Sequence, residues 1–551
     1  MSGGGTGVQE ALPVMTYDSL PAPATRRRLL SGLAATGGLA VSGALGAAGH
    51  APAEARSGAA AQAGAQPGSA SGSGFGSGSG GAARAVPARR GRFRADREKA
   101  QEIRAEFVHA WEGYKRFAWG HDEVLPVSGR YHDFFARNHP VGLSIIEALD
   151  THYLMELDTE VDRCVDWIRN HLDFDVDADF QVFECTIRLV GGLLSGYLAT
   201  GEKVLLDRCT DLADRLLPAF TSSPTGMPYR YVNLRTKHVS GTTLPLAEIG
   251  TNILEFGVLS RVTGDRRYRQ AAERALRAVV ERRSSLDLLA TRLNVETGRW
   301  ADRDSVAVNP PADSFYEYLW GAWLMFRDED CRDWFRMFTA AMRKHQAERV
   351  DGRLWFKHVD FRTGKLISRR QSALAVAVLP VGGDNDLAAD YYHSWTAVLD
   401  KYEVIPEEID YTRLQAVSRR NDLRPEYANC AFQLWWQTGD PHYRTTAWQY
   451  FRNLRKHHRV PGGYTVVTDV TRQPKAKGDH CPAYVFAENF KWLYLTFAGA
   501  PRFDYERGWL STEGKILDGF RKADAGRNAD AGTEADTGAG ADAGTKTNTD
   551  A

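Results

Sequence analysis

The chain has 551 residues, with 69 basic and 69 acidic side chains and no formal net charge. That balance excludes an electrostatic case for a nucleic-acid or polyanion partner. A hydrophobic share of 43%, 14 tryptophans and an aromatic content of 11% permit a large core and are compatible with carbohydrate handling.

Residues 1–55 read as an export signal. The stretch TRRRLLSGLAATGGLAVSGALGAAGHAPAEA carries paired Arg26 and Arg27, a Gly/Ala-rich apolar run and a cleavage-like Ala51-Pro52-Ala53. This is a twin-arginine-type signal, which predicts a secreted or extracytoplasmic protein exported after folding in a bacterial cytoplasm. The run is too glycine-rich for a convincing anchor, so no stable membrane insertion is expected. Residues 56–94 form a low-complexity linker, 95–521 the folded domain and 522–551 a low-complexity tail.

Between 95 and 521 the chain repeats a helical hairpin. Three copies share a hinge, in YLATGEKVLL, LSRVTGDRRY and WWQTGDPHYR. Gly201, Gly264 and Gly439 can take the left-handed conformation that ends a helix. Glu202, Asp265 and Asp440 follow where the next helix starts, and Pro441 suits its first position. The helix before each hinge is apolar nearly all round, whereas the one after it is amphipathic, a pattern of inner and outer rings.

Inner helices are expected near 141–156, 184–199, 248–262, 313–326, 372–382, 426–437 and 484–497. Outer ones are expected near 99–118, 158–171, 203–217, 265–283, 329–346, 386–402 and 441–457. The fold class is therefore all-α, an (α/α)7 barrel, with strand-like pieces such as GRLWFKHVDF and GGYTVVTDV in loops on one face. Its inner helices run parallel, so acids at their N-terminal ends share one rim. Glu184, Glu248, Asp313 and Glu426 hold equivalent places there. Any one could be a helix-dipole acid, and Glu184 with Arg188 an ordinary i, i+4 pair. A ring of carboxylates on one cavity is costly unless a cation or a proton-handling task offsets it.

Cys164, Cys185, Cys209, Cys331, Cys430 and Cys481 include no CxxC pair and sit among apolar neighbours. Mostly buried thiols are expected rather than a zinc site.

The blocks FECTIRLVGGLLSGY, LLPAF, LAEIGTNILEFGVLSRVTGD, DSFYEYL, LRPE, AENFKWLYLTF and STEG, in that order over 99–521, resemble glycoside hydrolase family 47, the class I α-1,2-mannosidases. VIPEEIDY, and TEG in place of TEAHP, bring it nearer the endoplasmic-reticulum degradation-enhancing branch. The resemblance implies an (αα)7 barrel that hydrolyses α-1,2-linked mannose with inversion, assisted by Ca2+. Inversion needs an acid and a base whose carboxyls stand roughly 6.5–9.5 Å apart, with water between.

By resemblance Glu184 is the general acid, Glu426 the base and Asp313 the third catalytic carboxylate. Arg188 and Arg424 orient them. Thr512 is the calcium ligand, through its hydroxyl and carbonyl oxygens. Glu488 and Glu513 surround the ion and the terminal mannose, and Tyr484 is the platform under the sugar. Glu248 joins the substrate-binding set, although Glu248 and Glu255 could equally serve inner-barrel arginines. The implied partner is a mannose-containing oligosaccharide, acted on by a monomer.

Departures from the family pattern bear on the pocket. Asn429 and Cys430 stand where the family has Glu-Ser after RPE, and Pro482 and Ala483 where it has another Glu-Ser. Pro311-Ala312 replaces an Arg-Gly before Asp313. SRRQSALAVAVLP lacks the family's histidine and half-cystine. The alternatives are a mannoside-binding barrel with little turnover, and an α-glycosidase of the same fold with another sugar preference.

Overall fold

The computed structural model describes residues 94–377, 385–499 and 502–521. The expected signal, the linker up to residue 93 and the tail lie outside the described residues.

Two concentric rings of helices alternate along the chain. Leu143–Leu154 is buried at every residue, while the following helix Asp158–His171 buries only Val161, Cys164, Val165 and Ile168. The same alternation pairs Val182–Thr200 with Lys203–Thr221, Ile253–Thr263 with Arg266–Val280, and Asp313–Phe326 with Glu329–His345. It recurs in Glu426–Thr438 with Pro441–His458. In Arg266–Val280 the buried residues Tyr268, Ala271, Ala272, Ala275, Leu276 and Val279 follow the helical period, so one stripe faces inward and the arginines face solvent. The seven-hairpin barrel is the fold observed. The first helix, Arg97–Phe117, packs on the last inner helix, Phe490–Ala498, with Phe107 and Phe490 ring centroids 5.9 Å apart.

The hinges follow from their residues. Gly201, Gly264 and Gly439 have φ of 78°, 80° and 74°. Thr200, Thr263 and Thr438 each return a hydroxyl to the carbonyl four residues back and accept the N–H two residues on. Asp265 and Asp440 cap the next helix, through the N–H of Arg267 and His442. Glu202 does not cap; it pairs with Arg169 at 3.1 Å, because its longer side chain reaches the neighbouring outer helix instead.

At two places the continuous inner helix expected from the sequence is not found. The expected helix at 372–382 is a 3-10 turn, Ala373–Ala377, with 378–384 outside the described residues. β-Branched Val376 and Val378, and Pro380 beyond them, make this run a poor α-helix former. The segment 248–262 is broken, Leu246–Gly250 then Ile253–Thr263, at Thr251 and Asn252. Thr251 uses its hydroxyl on the neighbouring inner helix, 2.9 Å from that of Ser314.

Antiparallel ribbons of two or three strands connect the hairpins. Asp179–Gln181 and Thr243–Pro245 run directly into inner helices at Val182 and Leu246, so these ribbons sit on the rim where those helices begin. Val182–Thr200 is long and apolar enough to span a bilayer by composition alone. Its most apolar window is 89% buried inside the barrel. All six cysteines are buried and free.

Candidate active site

The acids of the rim come from the starts of inner helices. Asp313 and Glu426 are the first residues of theirs, and Glu184 and Glu248 the third. Two inner segments begin with a π-helical turn, Cys185–Val190 after Glu184 and Val485–Asn489 around Glu488. Such turns re-aim side chains within a helix and are frequent at functional sites.

Arg188 organises one side. Its Nε donates to Glu184 Oε2 at 2.6 Å and its Nη1 to Glu513 Oε2 at 2.6 Å. The guanidinium packs on two aromatic rings, 5.7 Å from that of Phe134 and 5.6 Å from that of Tyr484. Glu147 Oε1 is 3.7 Å from the same arginine, and its other oxygen takes Lys515 Nζ at 2.5 Å. Arg424 organises the other side. Its Nε donates to Glu407 Oε2 at 2.8 Å and its guanidinium lies 5.7 Å from the Tyr484 ring. The Tyr484 hydroxyl donates to the Asp422 carbonyl, which anchors the ring beside both arginines. A half-buried ring anchored by its hydroxyl beside two guanidinium groups can serve as a platform.

Glu513 is the electrostatic hub. Its charge raises the carboxyls of Glu147, Glu255, Glu317, Glu426 and Glu488. Burial is the first cause in each case. It pushes Glu426 to about 8, against the pull of Arg424, and Glu255 to about 8 although the Tyr318 hydroxyl donates to it at 2.7 Å. Glu317 rises to about 7, with Asp313 adding repulsion and the Thr512 hydroxyl donating to it. Glu488 lies well above the ordinary value because of burial, then Glu513 and Glu426.

Glu248 is placed differently. It is buried with both oxygens on Arg230, at 3.0 and 2.9 Å, so its expected alternative as partner of an inner-barrel arginine describes its contacts. Burial pushes its carboxyl to about 7 against the pull of that arginine. Glu255 is held by Tyr318 rather than by an arginine.

Residues that sequence reading passed over complete the ring: Glu147, Glu317, Glu407, Phe134 and Lys515. Glu317 was within reach, because it stands one helical turn after Asp313 in DSFYEYL. Lys515 follows STEG by one residue. Phe134 and Glu407 come from loops whose return to the mouth has no local signature.

The carboxylates fit a bound cation. Glu147 Oε1, Glu255 Oε2, Glu317 Oε2 and Glu426 Oε2 are buried without a hydrogen-bond partner. Each of the four is raised by the charge of one shared neighbour, Glu513, and Thr512 already binds Glu317. Hard oxygen donors of this kind suit calcium. Asn429 is also buried with its Oδ1 unpartnered.

Residues 106–519 match the family model described as glycosyl hydrolase family 47. The chain is 33% identical to the α-mannosidase I MNS5 of Arabidopsis thaliana over 435 residues, covering 73% of this chain and 74% of that protein. It is 32% identical to the human mannosyl-oligosaccharide 1,2-α-mannosidase IB over 437 residues, covering 73% and 67%. The fold matches that of an α-1,2-mannosidase from Trichoderma reesei with a TM-score of 0.71 at 23% identity, over 78% of this chain and 100% of that one.

Proposed function

The chain belongs to glycosyl hydrolase family 47, and from that premise we propose that it is an exported, calcium-assisted, inverting α-mannosidase releasing terminal α-1,2-linked mannose from glycans or mannan. The observation that carries the reading is the carboxyl network joined through Glu513, which links Glu184 by way of Arg188, feels Glu426 directly and reaches Asp313 through Glu317. A binding protein needs no acid and base across one pocket.

In this mechanism the terminal mannose stacks on Tyr484. Glu184, oriented by Arg188, gives its proton to the departing glycosidic oxygen. Glu426 takes a proton from water attacking the opposite face of the sugar, and Asp313 shares the charge that develops. At about 8 the Glu426 carboxyl is largely protonated near neutral pH, so it works as a base only when positive charge in the ring lowers it. Thr512 would hold calcium with help from the ring acids, and the bound ion would supply that charge and oxygen coordination for sugar hydroxyls.

The test is proton NMR of the first product from α-1,2-mannobiose. β-Mannose appearing first supports inversion, and α-mannose appearing first would sink it. A second reading, an α-glycosidase for another sugar, is favoured by Pro311-Ala312 at the start of the Asp313 helix. A panel of aryl α-glycosides separates the two.

A further inference from the structure

A second cluster lies beside the mouth, and its donor set differs from the carboxylate ring. Among the described residues Glu123, His132 and His480 bring one ligand atom each within 4.8 Å of one another. Glu123 and His132 are register partners across a two-stranded ribbon, Glu123–Leu125 against Arg130–His132, so their side chains share a face. His480 arrives from more than 300 residues away. The ribbon receives it through a backbone bridge between Val124 and Cys481, and through Asp479, which accepts the N–H of Val127 at 2.8 Å.

Both imidazoles aim at the same carboxylate oxygen. His132 Nδ1 is 3.0 Å and His480 Nε2 2.7 Å from Glu123 Oε2. The other oxygen, Oε1, accepts the Ala483 N–H at 3.0 Å, which fixes the carboxylate for one-oxygen ligation. Glu123 is 4% exposed, whereas His132 and His480 are 24% and 32% exposed. The cluster therefore has a buried anchor and an open side where water can complete a shell.

We propose that Glu123, His132 and His480 form a transition-metal site, of zinc type, that staples the ribbon to the segment leading into Tyr484. Two imidazoles and one carboxylate with an open position are a zinc ligand set, and borderline nitrogen donors select against calcium. Bonds of about 2.0–2.1 Å place tetrahedral donors roughly 3.3–3.5 Å apart. Ligation therefore asks Glu123 Oε2, now 3.0 and 2.7 Å from the ring nitrogens, to part from them slightly, and asks the two imidazoles, whose ligand atoms lie within 4.8 Å of one another, to close on the ion. Phe134 lies two residues after His132 and Tyr484 four after His480. These are the two rings packed on Arg188, so the staple fixes the aromatic walls of the mouth without touching the reacting atoms.

The full chain, stripped with chelator and returned to saturating calcium, is titrated with zinc chloride by calorimetry. One zinc per chain is expected, weakened about 10–100-fold or more by H132Q and by H480Q. Cobalt in place of zinc is expected to give the visible ligand-field bands of a low-coordinate nitrogen and oxygen site. Absence of zinc uptake, or unchanged affinity in the doubly substituted H132Q/H480Q chain, overturns the proposal. Circular dichroism checks that the variants fold. If they do not, the cobalt spectrum of the unaltered chain decides, and a chain without those bands has no such site.

Discussion

Arg188 and Glu184 are joined at 2.6 Å across one π-helical turn, and the same guanidinium holds Glu513 at 2.6 Å. A planar fork holds two carboxylates in a fixed mutual orientation, which the freely rotating donors of an ammonium do not impose. Arg188→Lys is therefore expected to lower kcat/KM by roughly 100-fold with the fold intact, because small misplacements of catalytic groups cost that much. Steady-state kinetics beside a thermal melt checks it. An equal kcat/KM would show that orientation by Arg188 is dispensable.

Lys515 and Glu147 form a pair whose side chains are fully buried, at 2.5 Å. Lys515→Met leaves Glu147 with only the more distant Arg188, a loss of about 3–5 kcal/mol of stability. The double substitution with Glu147→Gln is expected to recover most of it. Chemical denaturation of the four chains measures the coupling, and simple additivity would contradict the pairing.

Stability is expected to fall with rising pH in the metal-free chain. Glu255 titrates at about 8 when folded, against an ordinary 4.5, because burial disfavours its charge, with Glu513 adding repulsion, while the Tyr318 hydroxyl and Lys515 oppose. Between those values the folded state keeps a proton that the unfolded state has released, so raising the pH favours unfolding. Each unit is worth roughly 1.4 kcal/mol. Melting temperatures across this window, with chelator present, are expected to slope downward and to flatten in Glu255→Gln. A slope untouched by that substitution would assign the proton elsewhere.

The hinge glycine Gly264 has φ of 80°, and a Cβ there would meet nothing within 4 Å. Gly264→Ala therefore carries backbone strain alone, about 1–2 kcal/mol, with activity unchanged. A melt and an activity assay suffice. A loss of activity at constant stability would mean that the hinge does more than turn the chain.

The barrel was legible because its signals are local. Thr-Gly hinges followed by an acid, helices apolar all round and amphipathic partners each follow from residues within one or two turns, and Gly201, Gly264 and Gly439 have the backbone their sequence demands. The acids at helix starts were legible for the same reason, since position along a parallel helix maps onto one rim. Long-range returns were not. Glu407 reaches Arg424 from a loop, Phe134 reaches Arg188 from another, and His480 reaches Glu123 across most of the chain. The zinc-type cluster in particular has no spacing signature, because His480 joins Glu123 and His132 from a distant part of the chain. The failed helix at Ala373–Ala377 marks where a periodic expectation met valines and a proline.

The most direct measurement is mannose release from α-1,2-mannobiose by the full chain and by Glu426→Gln, each with calcium and with chelator. Glu426 Oε2 is buried without a partner, so Gln is expected to be tolerated by the fold while turnover falls about 10²–10⁴-fold. The account predicts release by the unaltered chain with calcium, near-complete loss on chelation, and loss in the variant under both conditions. Full release by Glu426→Gln, or none from a folded and calcium-loaded chain, would contradict it.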